Sequence, residues 1–195
     1  PAAVEYPERL GRWPAAVGIV GFGICELCWG TAREPAPLAV LMLAYVVVML
    51  VGMSLYGVET WSRNADPFGV YFALFASLAP LVVVGAGEVD GRRGTAAVLL
   101  AGIGVTAFDG AAEGPLFNDV LPDLQRFFGD LGFGPERALE LGFVVGMLVA
   151  IAVVSLIWTL ALAGMPRVDG RRPGRQLVFS LVPILAAYVV AHYFS

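Results

Sequence analysis

A bundle of transmembrane helices is the fold class this sequence predicts, and three observations carry that expectation. Hydrophobic residues fill 58% of the 195 positions. Charged residues are 14%, where a soluble domain carries about 25%. The apolar residues also gather into runs close to the ~20 that a helix needs to cross a bilayer. A soluble globule of this size has too little interior for so much apolar side chain, because its surface must stay wettable. Against hydrocarbon the excess carries no penalty. Barrel strands would alternate apolar and polar residues, whereas these runs are apolar all round.

Six segments are expected to span. Residues 15–30 form a short first run that contains Glu26. Residues 37–56 hold no charge and end in small residues that allow close helix contact. Residues 68–84 follow Asp66-Pro67, an acid and a first-turn proline that suit a helix start. Residues 95–108 are the shortest, a tilted end, a re-entrant piece or the remnant of a longer helix. Residues 138–165 can span with tilt. Residues 177–195 carry Pro183, which predicts a kink whose freed carbonyl a neighbouring helix satisfies. Glycines at Gly18, Gly21, Gly102 and Gly104 read as helix-packing positions.

Between the fourth and fifth runs, Leu116, Phe117, Val120, Leu121, Leu124, Phe127, Phe128 and Leu131 recur at helical spacing. Asn118, Asp119, Asp123, Gln125, Arg126 and Asp130 fall between them. The pattern predicts an amphipathic helix over about 115–131, lying on the membrane surface. The chain begins at Pro1 and stops at Ser195 directly after an apolar run, so it is expected to be one portion of a longer protein.

All 12 basic residues are arginine and the net charge is −4, which argues against a nucleic-acid partner. Cys25 and Cys28 match C-x-x-C inside an apolar run, without the redox-fold context that gives the motif meaning. With six spans, one face holds residues 1–14, 57–67 and 109–137 and the other holds 31–36, 85–94 and 166–176. The second face has seven arginines against five, so it is expected to be cytoplasmic. Val89-Asp90-Gly91-Arg92-Arg93 is echoed by Val168-Asp169-Gly170-Arg171-Arg172. An internal duplication competes here with the simpler reading of turns followed by arginine anchors, and the flanking runs favour the simpler one.

On this topology Glu59, Asp66, Asp109, Glu113, Glu140 and His192 approach one membrane face. Asp109 closes the fourth run and His192, the sole histidine, lies near the end of the last. A carboxylate and an imidazole converging there can hold a divalent metal ion or serve as a base–acid pair, with Glu59 and Asp66 as helpers. Solvated caps at helix ends are the plainer explanation of each acid taken singly. One histidine and a cysteine pair miss the tetrahedral zinc sets; an oxygen-rich site would suit a harder ion. Glu26, inside the first run, is either paired on another helix or part of a proton or ion path.

Three stretches carry a resemblance. Tyr6 to Pro14 (YPERLGRWP), Phe108-Asp109-Gly110 through Gly114-Pro115-Leu116, and Tyr188 to Ser195 (YVVAHYFS) resemble a group of actinobacterial polytopic membrane proteins labelled fenitrothion hydrolase. The resemblance implies a bacterial inner-membrane location and hydrolysis of phosphotriesters, in proteins longer at both ends. It transfers no catalytic residue. Three functions follow as expectations. One is a membrane-embedded hydrolase of hydrophobic, organophosphate-type esters using Asp109 and His192. Another is a non-catalytic subunit of a membrane complex, with other subunits, a second copy or lipid as partners. The third is a transporter or ion path through Glu26.

Overall fold

A computed structural model of the chain describes residues 3–78, 92–166 and 177–193; the side chains of Arg33, His192 and Tyr193 lie outside the described part. All of the described regular structure is helical. Helix α1 (Trp13–Gly23) passes into a π-helical turn (Ile24–Cys28) and a short 3-10 turn (Gly30–Arg33). Then come α2 (Pro35–Tyr56), α3 (Val58–Asn64), α4 (Pro67–Ala76), α5 (Thr95–Ala112), α6 (Pro115–Asp130) and α7 (Pro135–Gly164). A 3-10 turn (Val178–Ser180) leads into α8 (Leu181–Tyr193).

Three of these, α2, α5 and α7, are long and apolar enough to cross a membrane. Their environments differ. Helix α5 is the axle: 56% of its apolar stretch is buried, against 6% for α2 and 11% for α7. It packs against α1, α7 and α8, and Val98, Leu99, Leu185 and Met147 in this region are fully buried. Helix α2 makes its main contacts only with α3 and the 3-10 turn before it.

Small residues let the helices approach. A Cβ on Gly104 would come 2.7 Å from the Ile151 backbone, and one on Gly102 would meet Leu185 and Tyr71 at 3.1 Å. Gly18 lies under Pro67. Gly21, by contrast, faces open space and is not a packing position. The same contacts fix direction. Gly94 adjoins Trp13 while Gly23 adjoins Val105, so α1 and α5 run parallel. Gly104 meets Ile151, and the Phe108 ring lies 6.0 Å from Phe143, so α7 returns antiparallel.

One end of the bundle therefore gathers the N-terminal segment, the end of α2, α3 and the start of α5. The Arg12 amide donates to the Arg93 carbonyl (2.7 Å), and the Ala3 and Val4 amides donate to Leu55 (2.9 Å each). This corrects the expected topology, which put residues 85–94 on the face opposite residues 1–14. Strict alternation required residues 68–84 to cross the bilayer. Helix α4 has 10 residues, about 15 Å of rise, half of a ~30 Å hydrocarbon core. Residues 79–84 of that expected span, most of both near-repeats, and residues 194–195 lie outside the described residues.

The fourth run is a true long helix: α5 continues through Asp109 to Ala112. Pro183 lies two residues into α8, just past the point where the 3-10 turn of Val178–Ser180 passes into α-helix. The amphipathic helix α6 forms over nearly the expected residues, but it pairs antiparallel with the first half of α7. Leu121 and Phe117 cover Gly142 and Gly146, and Phe117 stacks edge-on with Phe108 and Phe143 at 5.2 Å.

Replacing Gly104 by Leu forces α5 and α7 apart, and is expected to lower stability by about 1–3 kcal/mol. Gly110, with nothing near its would-be Cβ, should accept Ala within about 0.5 kcal/mol of neutral. Thermal unfolding of the two variants in one detergent checks both.

Candidate functional site: an arginine cleft

A polar concavity lies at the end where residues 3–12, α3 and the start of α5 meet. It is a cleft of about 720 Å³. Tyr6, Glu8, Arg9 and Gly11 line it from the N-terminal segment, Thr60 and Asn64 from α3, and Arg92 and Arg93 from the approach to α5. Three guanidinium groups thus face one carboxylate across the lining.

Local sequence builds this site. Gly11 and Gly94 hold left-handed backbone angles (φ +47° and +89°), which residues with a side chain adopt at a cost. A Cβ on Gly11 would meet the Arg93 carbonyl oxygen, and one on Gly94 would come 2.7 Å from the Trp13 nitrogen. Behind the cleft the Arg12 side chain is 8% exposed. Its guanidinium donates to the Thr95 hydroxyl (2.9 Å) and the Arg63 carbonyl (3.3 Å). The Thr95 hydroxyl in turn donates to the Arg92 carbonyl (2.9 Å). Arg92 donates to the Asn64 side-chain oxygen (2.8 Å), and the Asn64 amide donates to the Thr60 carbonyl (2.8 Å). Arg9 and Arg93 are exposed at the rim.

Tyr6 is the aromatic residue of the lining, and an aromatic cluster packs behind it. The Tyr6 hydroxyl donates to the Gly11 carbonyl (2.8 Å), and its ring meets Tyr56 edge-on at 5.3 Å. Tyr56 stacks on Trp61 at 5.7 Å, and Trp61 lies over Gly52 of α2. Burial first, and the neighbouring Tyr56 second, raise the Tyr6 phenol above its ordinary value, so it stays a neutral donor. The arrangement can hold an anion: guanidinium forks match phosphate and carboxylate oxygens, and amide and hydroxyl groups supply further contacts.

The residues expected to form an acidic site are dispersed. Glu59 pairs with Arg63 at 2.8 Å, both exposed, and belongs to the arginine end. Asp66 caps α4 by accepting from the Phe68 amide (3.1 Å) and also accepts from the Tyr45 hydroxyl (2.9 Å). It ties α2 to the bundle. Asp109, Glu113 and Glu140 lie at the other end, because α5 carries Asp109 past the level where Val105 meets Gly23. The convergence of Glu59 and Asp66 with Asp109 is thus overturned; a crossing of residues 68–84 was needed to produce it. The His192 side chain lies outside the described residues. On the backbone, His192 stands seven residues beyond Leu185 as Asp109 stands seven beyond Gly102, and Leu185 meets Gly102. Among the described residues no three His, Cys, Asp or Glu side chains gather as a metal cage would.

Glu26 occupies the π turn that ends the first helix and is exposed there. Cys28 beside it is buried, and both thiols are free. A second, smaller cavity of about 250 Å³ opens at this end between Trp29, Phe133, Arg137 and Glu140.

Sequence reading missed the cleft. The sequence pattern marks Arg92 and Arg93 as membrane anchors and Tyr6 only as part of the YPERLGRWP stretch, and it gives Asn64 and Thr60 no role. The available signal was Gly11 between Arg9 and Arg12, a glycine in a charged stretch between two prolines. No family model, curated protein or solved structure matches the chain.

Replacing Asp66 by Ala removes the α4 cap and the Tyr45 bond together. The expected loss is about 1–2 kcal/mol, read as a lower unfolding midpoint, with Asp66→Asn retaining most of the stability.

Proposed function

We propose that this chain is a multi-pass protein of the bacterial inner membrane that binds phosphate-bearing, lipid-soluble molecules at the membrane boundary. The observation that supports this reading is the arginine cleft, set at one end of an apolar bundle and lined by Tyr6, behind which Tyr56 and Trp61 pack. Aromatic residues of this kind favour the headgroup level.

Charge supports an orientation. Arg9, Arg12, Arg63, Arg92 and Arg93 lie at the cleft end with Glu5, Glu8 and Glu59. Arg33, Arg126 and Arg137 lie at the other end with Glu26, Glu34, Asp109, Glu113, Asp119, Asp123, Asp130, Glu136 and Glu140. Arginine-rich ends stay in the cytoplasm, so the cleft faces the cytoplasm and the acidic α6–α7 hairpin faces out. Helix α6 then rests at the outer interface. Its stripe Leu116, Val120, Phe127 and Leu131, exposed by 85, 52, 57 and 61%, meets the acyl boundary, and its acids meet water.

Dodecyl phosphate tests the binding reading against dodecanol, which has the same chain and no charge. Protein in nanodiscs is expected to bind the phosphate about tenfold or more tightly, as charge-assisted hydrogen bonds require. Equal binding of the two would remove the reading.

A second reading, hydrolysis of organophosphate-type esters at the outer end, is favoured by the matching registers of Asp109 on α5 and His192 on α8. It predicts that Asp109→Asn and His192→Ala each abolish turnover of an aryl phosphotriester by the full-length protein. Unchanged release of the phenol would dismiss both residues.

A further inference from the structure

We infer that the resident ligand of the arginine cleft is an anionic phospholipid of the cytoplasmic leaflet. Its phosphate is held by the cleft guanidinium groups and its acyl chains lie along α2. This rests on the phosphate-binding reading above and names the ligand class for that site.

Three observations converge on a chain-bearing ligand instead of a free ion. First, the cleft is far larger than a phosphate needs. At about 720 Å³ it falls in the range of sites for drug-sized ligands, about 300–1,000 Å³. Second, a chain of aromatic contacts behind the cleft links its one aromatic lining residue, Tyr6, to the apolar helix α2. Tyr6 contacts Tyr56, Tyr56 stacks on Trp61, and Trp61 seats on Gly52 of α2. A ligand with its head beside Arg9 and Arg93 meets Tyr6 at the glycerol level. It then meets the exposed side chains of Leu55, Val51 and Leu50. Third, α2 ends beside this part of the chain, where Leu55 accepts from the Ala3 and Val4 amides, and only 6% of its apolar stretch is buried, so acyl chains have an open apolar surface nearby.

Electrostatics select the class. Among the described residues the lining carries Arg9, Arg92 and Arg93 against Glu8, which suits a lipid of net negative charge better than a zwitterion. The cytoplasmic leaflet holds the anionic lipids, and basic pockets at that level collect their headgroups. The cleft is built to keep its shape when empty. Arg92 is held on Asn64, and the Arg93 backbone is held by the Arg12 amide. The exposed Arg9 and Arg93 side chains remain as the groups that can close on a headgroup.

Native mass spectrometry of the protein, released from nanodiscs containing phosphatidate, phosphatidylglycerol and phosphatidylcholine, tests the inference. Wild type is expected to retain one anionic lipid in preference to phosphatidylcholine. The double variant Arg9→Gln/Arg93→Gln is expected to lose that preference by about tenfold or more with an unchanged delipidated melting temperature. If the double variant fails to fold, Arg9→Glu alone should lower retention and Arg9→Lys should restore most of it. A parallel arm titrates inorganic phosphate and dodecyl phosphate. Saturation of the cleft by both, with no preference among the lipids, overturns the lipid assignment and leaves the phosphate-binding reading standing. Absence of any binding by phosphate, dodecyl phosphate and anionic lipid overturns both.

Discussion

The architecture hangs on one buried cation. Arg12 ends the N-terminal segment at the start of α1, and its guanidinium is almost fully enclosed. A buried charge is costly unless hydrogen bonds replace its water. Here the replacements come from distant parts of the chain, the Thr95 hydroxyl of α5 and the Arg63 carbonyl of α3. Satisfying one side chain therefore forces three elements to the same end of the bundle. The parallel course of α1 and α5 follows from that constraint, and so does the cleft, whose floor is the far side of the same network. Thr95 reinforces it by accepting from Arg12 and donating to the Arg92 carbonyl with a single oxygen.

How far the sequence displayed this depends on the kind of information needed. Helix positions were legible, because apolar runs without alternation have only one way to satisfy their backbone in lipid. Residues 37–56 and 138–165 match α2 and α7 closely, and the amphipathic spacing from Leu116 to Leu131 matches α6. What did not follow was the side on which residues 92–94 lie, since Arg93 sits beside Arg12. A run of apolar residues fixes that a segment is buried or lipid-facing, not that it traverses. The expected sides of residues 1–14 and 57–67, and the approach of Glu59 and Asp66 to Asp109, depended on strict alternation. The two carboxylates instead serve local structure, Glu59 in a surface pair with Arg63 and Asp66 as a cap. Composition cannot foresee that Arg12 reaches across 83 positions to Thr95.

The corrected grouping makes the charge pattern more coherent than the linear count did. Read along the chain, arginines divided nearly evenly between the faces. Read from the structure, Arg92 and Arg93 join Arg9, Arg12 and Arg63, and most of the acids collect on α6, α7 and the ends of α1 and α5. A clustering of arginine at one end is the pattern that sets orientation in membrane insertion. The long α7, 30 residues or about 45 Å, exceeds a ~30 Å core, and its first half pairs with α6 at the acidic end.

The two ends thus present different chemistry, and this constrains every functional reading. An ester with a lipid-soluble body approaching from the arginine end meets guanidinium groups, hydroxyls and an amide, a set that binds phosphate oxygens, with Glu8 the carboxylate among the described lining residues. Approaching from the opposite end it meets Asp109 and the backbone position of His192, a set that can move protons, next to an abundance of carboxylates that repel phosphate oxygens. Anion capture and proton transfer are accordingly separated by the length of α5. A single-site hydrolase would need both at one reacting atom. The proposed binding and the proposed cleavage therefore rest on different residues at opposite ends of α5, and each stands or falls on its own end.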